Sequence, residues 1–526
     1  MAQQLFFSRD SKLYVEFDSK LWEVPVLDGF SFSQSTNTSD ITLAEMQGAD
    51  GISRRGRRLF TDSLAPAEWS FSTYVRPFFT STEHHAVEEV LWAVMAGADK
   101  YGTIGTAGAI SAVDFSAADS AGDRDPGTYV IDLDDCTGTH AGTGGTIQII
   151  VNSAGNANDV QVVSGGKGYT AAQTIIVPTA LIGDGTGSIT IDIDSVDDDA
   201  TTGFYRNVQA DSNSDFGTTV AMPTIAGQTI NFGQSNRAVL ATCNLYFVME
   251  TSTTKPMVYK LENAQINEAS VDFDVDGIAT INWSGFAKNI IDKQSQGKVT
   301  VQSGTTITGA TVGDLYLDSA DDLKLGIATG ATTLESAIDA GVDQTSAFIR
   351  NRLTQCIVST TDTTAFPSGD YSLTLTGGNV TVSNNITYLV PEELGNVNIP
   401  IEGVTGGRTV TGNFTCYLTL DTDATALDPK GSSVELFNNM TTSGQGLDKV
   451  VNDFQVTFQI GGAVDGNPRL YIAMPKVHID VPVHSVEDVI SLETGFGAYT
   501  NDFDNADEIV LTYYGNEDSG AVTSYP

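Results

Sequence analysis

The chain has 526 residues, 66 acidic and 26 basic, for a formal charge of −40 at pH 7. A surface of that sign repels nucleic-acid phosphates and anionic lipid heads, which argues against a DNA-reading protein. Hydrophobic residues make up 40 %, enough for real cores over a length of roughly three to five domains, and 52 Gly against 15 Pro with many Thr, Ser, Val and Ile predict β structure with many turns.

Met1 to Lys12 has one short apolar patch, Leu5-Phe6-Phe7, beside Arg9 and Asp10, and does not read as a signal peptide. Trp22-Glu23-Val24-Pro25-Val26-Leu27-Asp28-Gly29-Phe30-Ser31-Phe32-Ser33 predicts strand, Gly-bearing kink, strand. A long loop carrying Arg54-Arg55-Gly56-Arg57-Arg58 follows. Glu68-Trp69-Ser70-Phe71-Ser72-Thr73-Tyr74-Val75 then predicts a strand whose aromatic and β-branched residues alternate with small polar ones. Thr80 to Glu83 has the pattern of a capping box. Val87, Val90, Leu91, Val94 and Met95 form one helical stripe, closed by Gly97. The longest apolar helical stretch, Val90 to Ala98, falls far short of the ~20 residues of a membrane span. A soluble chain, not exported by the usual N-terminal route, is expected.

From about Tyr101 to about Arg206 the composition shifts to Gly, Ala, Asp and Thr. Short alternating stretches (Thr146 to Val151, Val160 to Val163, Thr174 to Val177, Ser188 to Ile193) lie between Gly turns such as Gly142-Thr143-Gly144-Gly145 and Gly183-Asp184-Gly185-Thr186-Gly187. They predict a small inserted all-β domain, a kind of insertion tolerated at exposed loops. Ala241 to Met249, Ala264 to Val275 and Ile278 to Phe286 predict closing strands, and Asp292 to Gln344, rich in Gly, Thr and Asp, reads as a bridge.

Beyond it the pattern recurs. Tyr371 to Val382 again reads strand, Gly kink, strand, and Thr411-Gly412-Asn413-Phe414-Thr415-Cys416-Tyr417-Leu418 matches the Trp69 strand, Phe71 to Phe414 and Tyr74 to Tyr417. Ser432-Ser433 precedes the helical stripe Val434, Leu436, Phe437 and Met440, with Gly444 after it. Asp453 to Ile460, Leu470 to Val483 and Val489 to Phe496 repeat the closing strands, both sets ending on Gly-Phe (Gly285-Phe286, Gly495-Phe496). Tyr499 to Pro526 is acidic and reads as an arm. The expected organisation is repeat 1 over 1–100 and 207–291, an inserted all-β decoration domain at 101–206, a linker at 292–344, repeat 2 at 345–498 and an arm at 499–526.

Candidate chemistry is sparse. Asp272-Phe273-Asp274-Val275-Asp276-Gly277 opens like a calcium loop, but Trp283 stands where a bidentate Glu is required, and a strand with carboxylates on its solvent side is preferred. Asp197-Asp198-Asp199 reads as a solvated turn. His84-His85, at the first turn of the expected helix, are neighbours that cannot face one metal. Gly165-Gly166-Lys167-Gly168-Tyr169 lies between strands and reads as a turn rather than a phosphate cradle. Cys136, Cys243, Cys356 and Cys416 form no Cys-x-x-Cys pair, so free buried thiols are expected. No nucleophile elbow or Walker loop is present. No catalytic, cofactor or metal site is expected, and no cofactor. The feature that breaks the acidic background is the cluster Arg54, Arg55, Arg57 and Arg58. In a chain of this charge its expected partner is an acidic surface of another copy.

Val26-Leu27-Asp28-Gly29-Phe30-Ser31-Phe32-Ser33, the arginine cluster, Ser63-Leu64-Ala65-Pro66-Ala67-Glu68-Trp69-Ser70-Phe71 and Phe348-Ile349-Arg350-Asn351-Arg352-Leu353 together resemble major tail tube proteins of long-tailed bacteriophages. The resemblance covers both repeats but not the insert. It implies a mainly β fold: two tandem β-barrel or sandwich units, each with one flanking helix. It also implies a structural virion protein, made in the host cytoplasm, whose stacked rings form a genome conduit. Six units would close a ring, so a chain with two would do so as a homotrimer. Implied partners are the chain itself and other tail proteins such as tape measure, baseplate and terminator, with genomic DNA passing unbound. The alternatives are a secreted or surface β-rich adhesin binding glycans, and another virion part, from baseplate or capsid decoration.

Overall fold

The computed structural model describes residues 11–17, 20–41, 58–79, 84–97, 107–198 (without 118, 120, 141, 143, 166 and 167), 228–231, 240–249 (without 241), 257–292, 299–360 (without 305, 322 and 340–346), 369–389, 400–420, 431–443, 454–462 and 467–516 (without 487, 488 and 501–507). The chain forms two compact units, Gly102–Arg206 and the remainder, Met1–Tyr101 with Asn207–Pro526.

The larger unit opens with β1 (Ser11–Phe17), β2 (Lys20–Val24), β3 (Ser31–Ile41) and β4 (Arg58–Tyr74). Strands β1 and β2 form a tight antiparallel hairpin, Leu13 opposite Val24. Gly29, at φ +106°, makes the turn into β3, a conformation that suits a residue without Cβ. β5 (Pro77–Phe79) and β6 (His84–Ala86) pair before α1 (Glu89–Met95). The sequence places His84 and His85 in a helical first turn; instead they lie in β6, both buried, with His85 stacked on Phe78 at 5.3 Å. The pairing of Phe78 with His85 and Phe79 with His84 competes out the earlier helix start, and Thr80 to Glu83 fall outside the described residues. Gly97, at φ +80°, closes the helix as expected.

The unit Gly102–Arg206 holds β7 (Ala107–Phe115), β8 (Gly127–Asp132), β9 (Thr137–Gly138), β10 (Thr146–Val151), β11 (Ala157–Ser164), β12 (Tyr169–Thr170), β13 (Thr174–Val177) and β14 (Ile189–Asp198). They make a three-stranded sheet, β11-β10-β8, and a five-stranded one, β12-β7-β14-β13-β9. Alternation turns Ile147, Ile149, Val151, Ile175, Val177, Ile191 and Ile193 into one core. Buried Arg124 donates to Asp119 Oδ2, to Asp184 O and to Gly187 O, each at 2.8 Å, which pins the glycine turn at 183–187. Asp197 and Asp198, read from sequence as a turn, extend β14 opposite Ala109 and Gly108, because pairing with β7 supplies their backbone partners. Gly165 and Gly168 lie between β11 and β12, Gly168 at φ +78°, and Tyr169 opens β12; Gly166 and Lys167 fall outside the described residues.

Back in the larger unit come β15 (Gln228–Asn231), β16 (Cys243–Met249), β17 (Met257–Asp274), β18 (Thr280–Ala287) and β19 (Asn289–Asp292). The stretch read as a bridge holds β20 (Val299–Gln302), β21 (Leu315–Asp318), β22 (Lys324–Ala328) and β23 (Leu334–Ser336), one small sheet. Its Leu315, Leu317 and Leu325 pack on Tyr14, Leu21, Tyr246 and Val248, so these residues are a cover over one face of the first repeat.

The second repeat comprises β24 (Gln355–Ser359), β25 (Asp370–Leu373), β26 (Leu375–Ser383), β27 (Thr387–Tyr388), β28 (Gly403–Val404), β29 (Thr409–Tyr417), α2 (Ser433–Ser443), β30 (Phe454–Ile460), β31 (Arg469–Ile479), β32 (Val483–Val486), β33 (Ile490–Ala498) and β34 (Val510–Tyr514). Ser432 and Glu435 exchange reciprocal bonds at the start of α2, Glu435 N to Ser432 Oγ at 3.3 Å and Ser432 N to Glu435 Oε2 at 3.1 Å, and bury Leu436 and Phe437 beneath it.

The repeats match strand by strand. β1–β2, β1–β16, β16–β17, β17–β19, β18–β4 and β3–β4 recur as β24–β25, β24–β30, β30–β31, β31–β34, β33–β29 and β26–β29. Even the bulge recurs: pairing jumps between Cys243/Ala264 and Leu245/Leu261, and between Phe454/Val477 and Val456/Met474. Phe71 pairs with Trp283 and Phe414 with Thr494, so the Phe71–Phe414 match holds in space. The Gly-Phe match does not. Phe286 pairs with Glu68 and is half-buried, whereas Phe496 pairs with Gly412 and is buried, one residue out of step. The cores join through Phe273, which lies 5.3 Å from Phe458, itself 5.7 Å from Phe496.

Candidate assembly surfaces

Strand β17 does two jobs. Its first half pairs with β16 and its second half with β18 on one side and β26 on the other, Glu268 opposite Ser383 through Asp274 opposite Gly377. One continuous strip therefore runs β3-β4-β18-β17-β26-β29-β33-β32, four strands from each repeat. Asn267 secures the crossing, its Oδ1 accepting from Ile386 N at 2.7 Å and its carbonyl from Asn384 N at 2.8 Å.

Strand alternation gives this strip two unlike faces. One carries the buried Trp69, Phe71, Val271, Phe273, Ile281, Trp283, Val380 and Phe414. The other reads in rows across the strands. One row is Ser31, Ser70, Ser284, Glu268, Ser383 and Thr409. The next is Ser72, Asn282, Ser270, Thr381 and Thr411, and the next Tyr74, Thr280, Asp272, Asn379 and Asn413. These rows carry hydroxyls, amides and carboxylates, and no Lys or Arg. Cross-strand bonds tie them down: Ser72 Oγ to Asn282 Oδ1 at 2.6 Å, Thr381 Oγ1 to Ser270 Oγ at 3.0 Å, Ser31 Oγ with Ser70 Oγ at 2.9 Å. Asn282 also donates to Asp272, whose carboxyl burial pushes up, with the charge of Asp274 adding to it.

The stretch from Asp272 to Gly277 is thus the end of β17 and its turn, as the alternation predicts, and Trp283 is buried with its indole donating to Thr73 Oγ1 at 3.0 Å. Asp276 is taken up by an exposed ion pair with Arg352. Among the described residues no group of three or more His, Cys, Asp or Glu is arranged to hold a metal ion, and Cys136, Cys243, Cys356 and Cys416 are free thiols.

Strands β3 and β4 continue past the strip. β18 covers β4 only from Ala67 to Tyr74, while β3 and β4 stay paired out to Ile41 opposite Arg58. The outer hairpin is two strands thick and presents Leu59 and Phe60, 65 % and 59 % exposed. Arg58 is the first residue of β4; Arg54, Arg55 and Arg57 fall outside the described residues. Sequence reasoning located the basic cluster but missed the length of the arm that leads to it. The run Ser31–Ile41, rich in Ser, Thr and Asn with neither Gly nor Pro, was the available signal.

No protein-family model matches the chain. It is, however, 24 % identical over 494 residues to the tail tube protein pb6 of Escherichia phage T5, an alignment spanning 93 % of this chain and 70 % of that one. The chain is thus similar to a phage tail tube protein along nearly its whole length. An alignment of that span includes both repeats, so the duplicated strip lies inside the part shared with that protein. Among the described residues no helix is long and apolar enough to cross a membrane.

Proposed function

We propose that this chain is a structural phage tail tube protein, that three copies close into a ring of six similar units, and that rings stack into the tube through which the genome leaves. The observation that carries the reading is the β17–β26 crossing, where one repeat already continues the sheet of the other. A strip with free edges is a liability for a monomer that ring closure removes. At four strands per repeat, three chains would supply a closed wall of twenty-four strands. The polar, cation-free face of the strip suits a channel wall, since a phosphate backbone gains no counterion-releasing contact there. The tube then works without chemistry of its own, and DNA passes unbound.

Stacking needs a second, open-ended contact. The β3–β4 arm is its best candidate, with exposed Leu59 and Phe60 along it and the sequence cluster Arg54, Arg55, Arg57 and Arg58 leading into β4, whose expected partner is acidic surface of a chain in the ring or in the next layer. Tape measure, baseplate and terminator proteins would meet the tube inside and at its ends. The unit Gly102–Arg206 is read as a decoration that ring closure does not require. Symmetry analysis of purified assemblies by electron microscopy tests the reading. Three-fold rings with six similar lobes, stacking into tubes, are expected; six chains per layer, or globular oligomers without a channel, overturn it.

A further inference from the structure

The crossing inside the chain is a template for the crossing between chains, and we infer from it the strands, direction and register of the ring seam. This inference rests on the ring reading above. The strip ends at β3 on one side and β32 on the other, and among the described residues the sheet pairing of each is with one neighbour, β4 and β33 respectively. β3 occupies the place in the first repeat that β26 occupies in the second. Phe32 lies opposite Trp69, and Val380 opposite Gly412, at equivalent positions of β4 and β29. β32 likewise occupies the place of the second half of β17: Val271 lies opposite Ile281, and His484 opposite Leu492.

Within the chain, Ser270, Val271 and Asp272 lie opposite Thr381, Val380 and Asn379. Transferring each residue to its equivalent places Val483, His484 and Ser485 of one chain opposite Ser33, Phe32 and Ser31 of the next, antiparallel. The exposed apolar residues support that occupant. Val481 and Val483 are 67 % and 70 % exposed in the single chain, at positions where the first repeat, already paired, carries the polar Glu268 and Ser270. Open backbone donors and acceptors beside uncovered valines are what an added strand satisfies and shields. Asp480, at the place of Asn267, retains the side-chain oxygen by which Asn267 accepts from the neighbouring repeat. The two edges differ in sequence, so the contact is heterologous and head-to-tail, and closes after three chains.

Cysteine cross-linking in assembled tubes tests the register. Phe32→Cys with His484→Cys, and separately Ser31→Cys with Ser485→Cys, should link chains under mild oxidation into covalent species of up to three chains. Phe32→Cys with Val483→Cys, one residue out of step and on opposite faces, should not. Ser270→Cys with Thr381→Cys, the same geometry within the chain, serves as the internal control and should oxidise without changing chain number. Tubes in which the internal pair oxidises while neither predicted pair links, or in which the out-of-step pair links instead, overturn the seam and leave the tube reading intact. Absence of tubes from the unsubstituted chain overturns the tube reading itself.

Discussion

The indole Nε1–H of Trp92 donates to the phenol oxygen of Tyr513 at 2.7 Å, and Tyr513 in turn donates to the carboxylate of Glu88. Trp92 and Glu88 belong to the α1 region of the first repeat and Tyr513 to β34 of the second, so a buried polar chain, rather than apolar packing alone, fixes one repeat against the other. Trp92 also meets Trp283 edge-on at 4.8 Å, which leaves little room for the indole to seek another acceptor. Tyr513→Phe strands the buried indole N–H and takes one donor from the buried Glu88 carboxyl, which keeps the Arg76 backbone N–H. It should cost about 1–3 kcal/mol in denaturant unfolding, while Trp283→Phe, which leaves this chain of bonds intact, should act through lost packing and the lost bond to Thr73 and leave the pH dependence unchanged.

Burial raises the Glu88 carboxyl from 4.5 to about 7, against the opposing pull of the Arg76 backbone N–H and Tyr513. A carboxyl whose folded pKa lies above its unfolded one holds its proton more tightly in the native state. Its contribution is therefore fully present below about pH 4.5 and is lost as pH rises through about 7. Integrated over that window the loss is about 3 kcal/mol, an upper figure for one group. Glu88→Gln, which cannot ionise, should unfold at higher denaturant than the parent at pH 8, with the gap closing towards pH 5. A gap independent of pH would mean that Glu88 stays ionised in the folded chain.

Much of this architecture was legible in the sequence, for identifiable reasons. Phe71 and Phe414 announce equivalent strands because aromatic residues alternating with Ser and Thr have one physical solution, a sheet with one buried face. The Gly-Phe dipeptides misled by one residue, since two residues carry no information about which face is inward, and a single step exchanges the faces. Residues 292–344 looked like a bridge because Gly, Thr and Asp dominate; the few Leu and Val that fold them are meaningful only against Tyr14 and Tyr246, far away in sequence. His84 and His85 were placed in a helix because the stripe starting at Val87 says nothing of a hairpin with Phe78 just before it. The strip itself could not be read, because Ser72 of β4 meets Asn282 of β18 and Ser270 of β17 meets Thr381 of β26, partners far apart in sequence.

The polar face gives a direct check on the conduit. Ser270→Arg with Asn282→Arg puts two neighbouring cations into rows that hold none. Assembled tubes of the variant should retain double-stranded DNA at low ionic strength and release it as salt rises, while parent tubes retain none. Each added arginine contributes about one released counterion to the salt slope. Equal retention by both tubes would place this face away from the channel.

Gly102–Arg206 has its own core around Ile147, Ile149, Ile191 and Ile193, so its removal exposes no apolar surface of that core elsewhere in the chain. A chain joining Gly97 to Asn207 through a short linker should fold and form rings. A soluble, folded but non-assembling product would make the insert part of the wall.

The arginine cluster should govern polymerisation rather than folding. An exposed ion pair contributes only ~0.2–1 kcal/mol, but the contact recurs at every subunit, so a small term is repeated along the whole polymer. Arg58 opens β4 at the end of the two-stranded arm, Arg54, Arg55 and Arg57 precede it in sequence, and among the described residues the arm's outer half pairs only within itself. Replacing all four by Glu should leave the thermal transition of the isolated subunit nearly unchanged and shorten or abolish tubes. Raised salt should weaken assembly of the parent chain in the same direction, since screening at about 0.1–0.15 M already acts over ~8–10 Å. Leu59→Ser with Phe60→Ser separates the two contributions of the arm: it removes the exposed apolar pair and leaves the charges, so its tubes should shorten without a change in salt response. Tubes of normal length from the Glu variant, with the parent's salt response, would show that the arginines are merely solvated and that apolar contacts along the arm build the polymer.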